Sequence, residues 1–143
     1  MFRSFIVFVF LIQVACASAE SVYVCPAEID TSWHISSPPQ GWETLNSDAK
    51  TNVRHQLDYA TFTDGHPREL AFLRPAREES TSDERGEFST SIYEFTGVSP
   101  DGIWLVCGYS DTPAIIMKRL SATHKSCRVK YSQDIPVQSI SCE

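Results

Sequence analysis

The chain has 143 residues, with 18 acidic against 12 basic side chains and a formal net charge of −6 at pH 7. That balance disfavours nucleic acid and anionic membrane surfaces as partners, because both demand clustered Lys and Arg. Five cysteines in so short a chain make the redox compartment the first question.

Residues 1–19 read as a cleavable export signal. Arg3 supplies the positive start, residues 5–12 an uninterrupted apolar run, and Ala17-Ser18-Ala19 the small residues of a cleavage site. A run of about eight apolar residues is too short to span a bilayer, so no membrane anchor is expected. A lipoprotein signal using Cys16 is the rival, but Gln13 stands where such a signal wants a Leu-like residue. Cleavage after Ala19 leaves residues 20–143, a single disulfide-bonded β domain in this reading. Loss of Arg3 moves the net charge to −7. The location implied is the periplasm.

Beyond the leader no stretch keeps a helical period, and short alternating runs dominate. Residues 22–25 read as a first strand stopped by Pro26, and residues 31–36 as a second. Pro38-Pro39-Gln40-Gly41-Trp42 forms a rigid turn. Residues 45–56 leave room for one short helix capped by Asn46 or Ser47. Residues 57–63 alternate, with Leu57, Tyr59 and Thr61 on one face and Asp58, Ala60 and Phe62 on the other. Asp64-Gly65 then turns into a return strand at residues 69–73. Residues 74–87 carry eight charges and no large apolar residue, which predicts a solvated, mobile loop. Residues 87–96 form a strand with aromatics on both faces. Residues 103–109 are apolar on both faces, as expected of a central strand. Strands at residues 114–120, 127–131 and 137–142 complete an all-β chain, an antiparallel sandwich or strongly twisted sheet.

With Cys16 gone, Cys25, Cys107, Cys127 and Cys142 remain, an even set in an oxidising compartment, so two disulfides are expected. A hairpin turning around Asp134-Ile135-Pro136 places Cys127 opposite Cys142, and opposed strand residues have Cα atoms about 4.5–5.5 Å apart, within disulfide reach. If residues 103–110, 114–120 and 127–132 form a meander, Cys107 and Cys127 lie two strands apart, roughly 9–10 Å, which is too far. The preferred pairing is therefore Cys25–Cys107 with Cys127–Cys142. Zinc is the competing use, but no two of these cysteines are spaced as in a zinc knuckle.

The residues that carry chemistry point away from an enzyme. His34, His55, His66 and His124 show no metal-ligand spacing, and no Gly-x-Ser-x-Gly elbow is present. Asp64-Gly65-His66 reads as a turn. No catalytic residue, metal or cofactor is expected. Trp104, in the central strand, reads as core. Trp42, after a proline-rich turn, is either an exposed anchor for protein or sugar, or a plug at one end of the sandwich. Arg74, Arg77, Glu78 and Glu79 are, with Trp42, the candidate partner-binding residues.

Several runs carry a resemblance: Cys25-Pro26-Ala27-Glu28-Ile29, Pro39-Gln40-Gly41-Trp42, Phe62-Thr63-Asp64-Gly65-His66-Pro67, Gly102-Ile103-Trp104-Leu105-Val106-Cys107-Gly108-Tyr109, Met117-Lys118-Arg119-Leu120 and Cys127-Arg128-Val129-Lys130-Tyr131. Together they resemble a family of small exported enterobacterial periplasmic proteins known mainly by a locus tag, some of whose members lie near type VI secretion clusters. The resemblance implies an immunity or inhibitor protein that sterically blocks a toxin or enzyme acting on the cell wall. It supplies no catalytic residue. The alternative from the residues themselves is a non-catalytic module for a small ligand or wall glycan, with Trp42 and Tyr59 lining its site.

Overall fold

A computed structural model describes residues 20–32, 40, 53–84, 86–97, 100–133 and 136–143. The export signal, the turn at 38–42 apart from Gln40, Trp33, His34, Trp42 and most of the candidate helix at 45–56 lie outside the described residues.

Among the described residues, nine antiparallel strands form two sheets. The first sheet has the order β1 (Ser21–Tyr23), β9 (Ser139–Cys142), β8 (Ser126–Ser132), β5 (Gly86–Glu94) and β4 (Arg77–Asp83). The second has the order β2 (Glu28–Thr31), β3 (Val53–Asp64), β6 (Ile103–Tyr109) and β7 (Ile115–Arg119). The inner faces meet in one core. Phe62 of β3 packs edge-on against Tyr93 and Phe95, at ring-centroid distances of 4.7 and 5.5 Å. Leu105, Val129 and Ile140 fill the space around them. Alternation explains the layering, since side chains two apart share a face. Cys127, Val129 and Tyr131 point inward from β8, while Arg128 and Lys130 take its other face. As expected for a central strand, β6 is buried on both faces.

Both disulfides form as the sequence reading prefers. Cys127 and Cys142 are register partners, with Cα atoms 4.1 Å apart. Cys25–Cys107 joins the chain just after β1 to β6 of the other sheet. The same crossing is held by Tyr109, whose hydroxyl donates to the Pro26 carbonyl, and by the Leu57 amide, which donates to Ala27.

Four local expectations are corrected. The segment at 74–87 is no loop over most of its length: residues 77–83 are β4, paired without a register break to β5. Its side chains are all exposed, so it forms an edge strand without any hydrophobic alternation, which is why the sequence pattern misses it. The three-strand meander is absent, because the turn after Leu120 carries the chain into the other sheet. There β8 lies between β5 and β9, and β7 remains an edge. The return strand at 69–73 reduces to one bridge between Thr63 and Phe72. A 3-10 turn at Pro67–Glu69 and a left-handed Leu70 (φ 57°) consume the rest. Finally, Leu57 and Tyr59 do not share a face. A bulge at Asp58 shifts the register, so Leu57 packs toward the core and Tyr59 points out.

Candidate protein-interaction surface

The two outer faces of the sandwich differ in chemistry. On the five-stranded sheet, the face turned away from the core carries Arg77, Glu79, Thr90, Arg128, Lys130 and Ser141. The large apolar residues of β5 on this face, Phe88 and Ile92, are buried all the same, while Val22 of the edge strand β1 is exposed. The Lys130 ammonium lies 4.2 Å from the Phe88 ring centroid, so a cationic stem covers the apolar ring and keeps its charge in water.

The four-stranded sheet does the reverse. Its register sets three cross-strand rows on the outer face: Phe72–Thr63–Trp104–Arg119, then Thr61–Val106–Met117, then Tyr59–Gly108–Ile115. Val106 at the centre is fully buried, at 0 % exposure. Around it Tyr59 and Met117 are each 40 % exposed, Phe72 46 % and Ile115 37 %. Aromatic residues and Met are enriched where proteins meet proteins, and an exposed apolar sheet face is the informative exception on a soluble surface.

These side chains are held in place. The Tyr59 ring lies against the Gly108 backbone so closely that a Cβ at position 108 would stand 2.2 Å from its carbons. Trp104 donates from its indole Nε1 to the Asp101 carbonyl and packs edge-on against His66, at a centroid distance of 4.8 Å. His66 in turn accepts the Arg68 amide through Nδ1. Around the edge of β7, a groove of about 500 Å³ continues the apolar surface between Ile116, Met117, Val22 and Val24, with the Lys118 ammonium above the Tyr23 ring.

Trp104 is therefore half-buried on an outer face, where the sequence reading placed it in the core. β6 is apolar on both sides, and nothing in a continuous apolar run says which side will be covered. Of the other expected contact residues, Arg74 is exposed ahead of β4. Arg77 and Glu79 lie on one face of β4 and Glu78 on the other. Arg77 forms exposed ion pairs with Glu79 (3.3 Å) and Glu94 (3.7 Å), which add little stability. Glu78 Oε1 accepts from the Ser91 hydroxyl at 3.5 Å. Trp42 lies outside the described residues. Tyr59, read as a pocket wall, sits on an open sheet face. The signal that would have found the face is the bulge, and no residue type marks a bulge in the sequence.

Among the described residues no group of three or more His, Cys, Asp or Glu side chains is arranged to hold a metal. The described histidines are dispersed. His55 is buried between the Ser110 carbonyl and the Thr31 hydroxyl, each 2.8 Å from a ring nitrogen. His124 Nε2 bonds the Tyr23 hydroxyl. Burial raises the pKa of Tyr109. Desolvation, followed by the nearby Tyr93, raises that of Tyr131, whose hydroxyl donates to the Ala60 carbonyl across the core. Both phenols are structural struts between elements.

The model of the type VI secretion system Tli immunity protein family matches residues 50–143. The chain belongs to that family. No curated protein and no solved structure gives a significant match. The matched segment runs from the start of β3 to the end of β9, so it contains the whole five-stranded sheet apart from β1 and the whole apolar outer face. Membership makes the chain a type VI secretion immunity protein, whose partner is a protein toxin. Among the described residues no helix is long and apolar enough to cross a membrane.

Proposed function

We propose that this immunity protein works in the periplasm, where it binds its toxin one-to-one and covers the toxin's working surface without chemistry of its own. The family match over residues 50–143 carries the reading. Two disulfides support the compartment, since they form and persist where thiols are oxidised. A scaffold stapled both within one sheet and between the two sheets suits steric inhibition, because a rigid surface loses little freedom on binding. The expected target of the toxin is the cell wall.

The residues 74–79 contribute to encounter in this reading. Glu78 and Glu79 stand on an exposed edge strand of an acidic protein, and such charge speeds association with a basic toxin more than it deepens affinity. Trp42 is proposed as a further contact.

The test expresses each toxin of the source bacterium's type VI cluster in the periplasm of a sensitive cell, with this chain either exported or retained in the cytoplasm. Rescue by the exported form alone supports the proposal, and equal rescue by the retained form overturns the periplasmic site of action. The neutralised toxin is then assayed on purified peptidoglycan and on phospholipid vesicles. Cleavage or cross-linking of peptidoglycan fits a wall toxin, and activity on vesicles alone removes the wall as target.

A further inference from the structure

We propose that the outer face of the four-stranded sheet is the toxin-binding surface, with Tyr59, Trp104 and Met117 as its anchors, and that the toxin meets it with an apolar patch bordered at the Tyr59 end by Lys or Arg. The inference rests on the immunity reading and adds where the contact lies and what chemistry opposes it.

The asymmetry between the two outer faces is the first argument. The five-stranded sheet hides the outward apolar residues of β5, Phe88 and Ile92, and leaves only Val22 of its edge strand β1 open among the described apolar residues of that face. The four-stranded sheet leaves Tyr59, Met117, Ile115 and Phe72 exposed around a fully buried Val106. A close-packed centre ringed by half-open aromatic and sulfur-bearing side chains is how binding energy concentrates at interfaces, in a few anchors shielded by their neighbours.

Preorganisation is the second. Tyr59 is seated on Gly108, and Trp104 is held by the Asp101 carbonyl and by His66. Anchors fixed before binding avoid the rotamer entropy that free side chains would lose.

Charge decides the partner. Asp58 stands in the bulge beside Tyr59, Asp101 at the Trp104 end, and Asp111 in the turn that joins β6 to β7 beside Gly108 and Ile115. None of the three forms an ion pair among the described residues. Of the cations nearby, Arg54 pairs with Glu28 and Asp30, while Arg119, register partner of Trp104, and the exposed Arg68 keep their charge at the Trp104 end, Arg119 donating only to the neutral Pro100 carbonyl. The border is therefore acidic at the Tyr59–Ile115 end, through Asp58 and Asp111, and complementarity there calls for Lys or Arg on the toxin.

The test uses the toxin that this chain neutralises, purified in an inactivated form, and measures binding kinetics with the wild type and with Trp104→Ala and Met117→Arg. Each substitution is expected to raise Kd about 30-fold or more, mainly through faster dissociation. Ser139→Ala on the opposite sheet is expected to leave Kd within about twofold, as a change outside the contact should. Near-ultraviolet circular dichroism checks that each variant is folded. A second measurement needs no variant: amide hydrogen exchange of the wild type with toxin added should slow across residues 115–119, the open edge of the face. Folded variants with unchanged Kd, or protection confined to β4 and β5, overturn the proposal while immunity stands. A wild type that binds none of the cluster's toxins overturns the immunity reading itself, and this proposal with it.

Discussion

Tyr59 lies across Gly108, its ring occupying the space that a Cβ at position 108 would need. The two are register partners on β3 and β6 only because Asp58 is bulged out between Leu57 and Tyr59. One extra residue thus turns the core-facing side of β3 at Leu57 into an outward-facing aromatic two positions later. The absence of a side chain at Gly108 then fixes where that aromatic rests.

Gly108→Ala should push the Tyr59 ring off the sheet. Overpacking of this kind costs roughly 1–3 kcal/mol, and the low end is expected because Tyr59 is partly open to solvent. In the background of Tyr59→Ala the same change should cost close to nothing, since the clashing ring is gone. Urea denaturation of the two single variants and the double variant measures the coupling. Additive losses would show that the ring is free to move without penalty.

The disulfides should differ in worth. Cys127–Cys142 spans 15 residues and Cys25–Cys107 spans 82. In the chain-entropy model these closures stabilise by about 3 and about 4–5 kcal/mol respectively. Replacing Cys25 and Cys107 together by Ala should therefore lower the thermal midpoint more than replacing Cys127 and Cys142 together. It should also loosen the sheets against each other, because that bond joins them while the other lies within one sheet. Calorimetry of the two double variants, under oxidising conditions, gives the order directly.

Stability should fall in alkali. Burial raises the folded-state pKa of Tyr109 and Tyr131 above the unfolded value, so the unfolded chain gives up these protons first. The stabilisation is complete below the ordinary tyrosine pKa of about 10 and is lost as pH rises from there toward the folded values. Tyr131→Phe should flatten this decline and lower stability at neutral pH, because the hydroxyl no longer reaches the Ala60 carbonyl. Denaturation midpoints between pH 8 and 11 test the sign. An unchanged slope in the variant would remove Tyr131 as its source.

Glu78→Gln with Glu79→Gln should slow association with a basic toxin by a few-fold at low salt and leave dissociation nearly unchanged. The difference from wild type should shrink as ionic strength rises and the Debye length falls below about 10 Å. Stopped-flow association rates over a salt series would show it. A change confined to dissociation would make β4 part of the buried contact.

Alternation and cysteine arithmetic made most of the strands legible from residues alone. The Cys127–Cys142 register, the inward faces of β8 and the double burial of β6 follow from spacing, because a period of two and a fixed disulfide reach leave few choices. β4 escaped because an edge strand with every side chain in water needs no apolar alternation, and its residues look like those of a loop. Residues 69–73 misled in the other direction, since Pro67 and the left-handed Leu70 interrupt a run whose side chains would suit a strand.

The primary structure alone determined that this is a disulfide-stapled β protein without a readable catalytic constellation, because period, charge and cysteine number are local or countable properties. Only the tertiary structure decided which side of β6 the second sheet would cover. A strand apolar on both faces carries no label for inside, and the bulge at Asp58 that turns Tyr59 outward is set by pairing with β6. The exposed face bearing Tyr59, Trp104 and Met117 thus comes from how the sheets pair and stack.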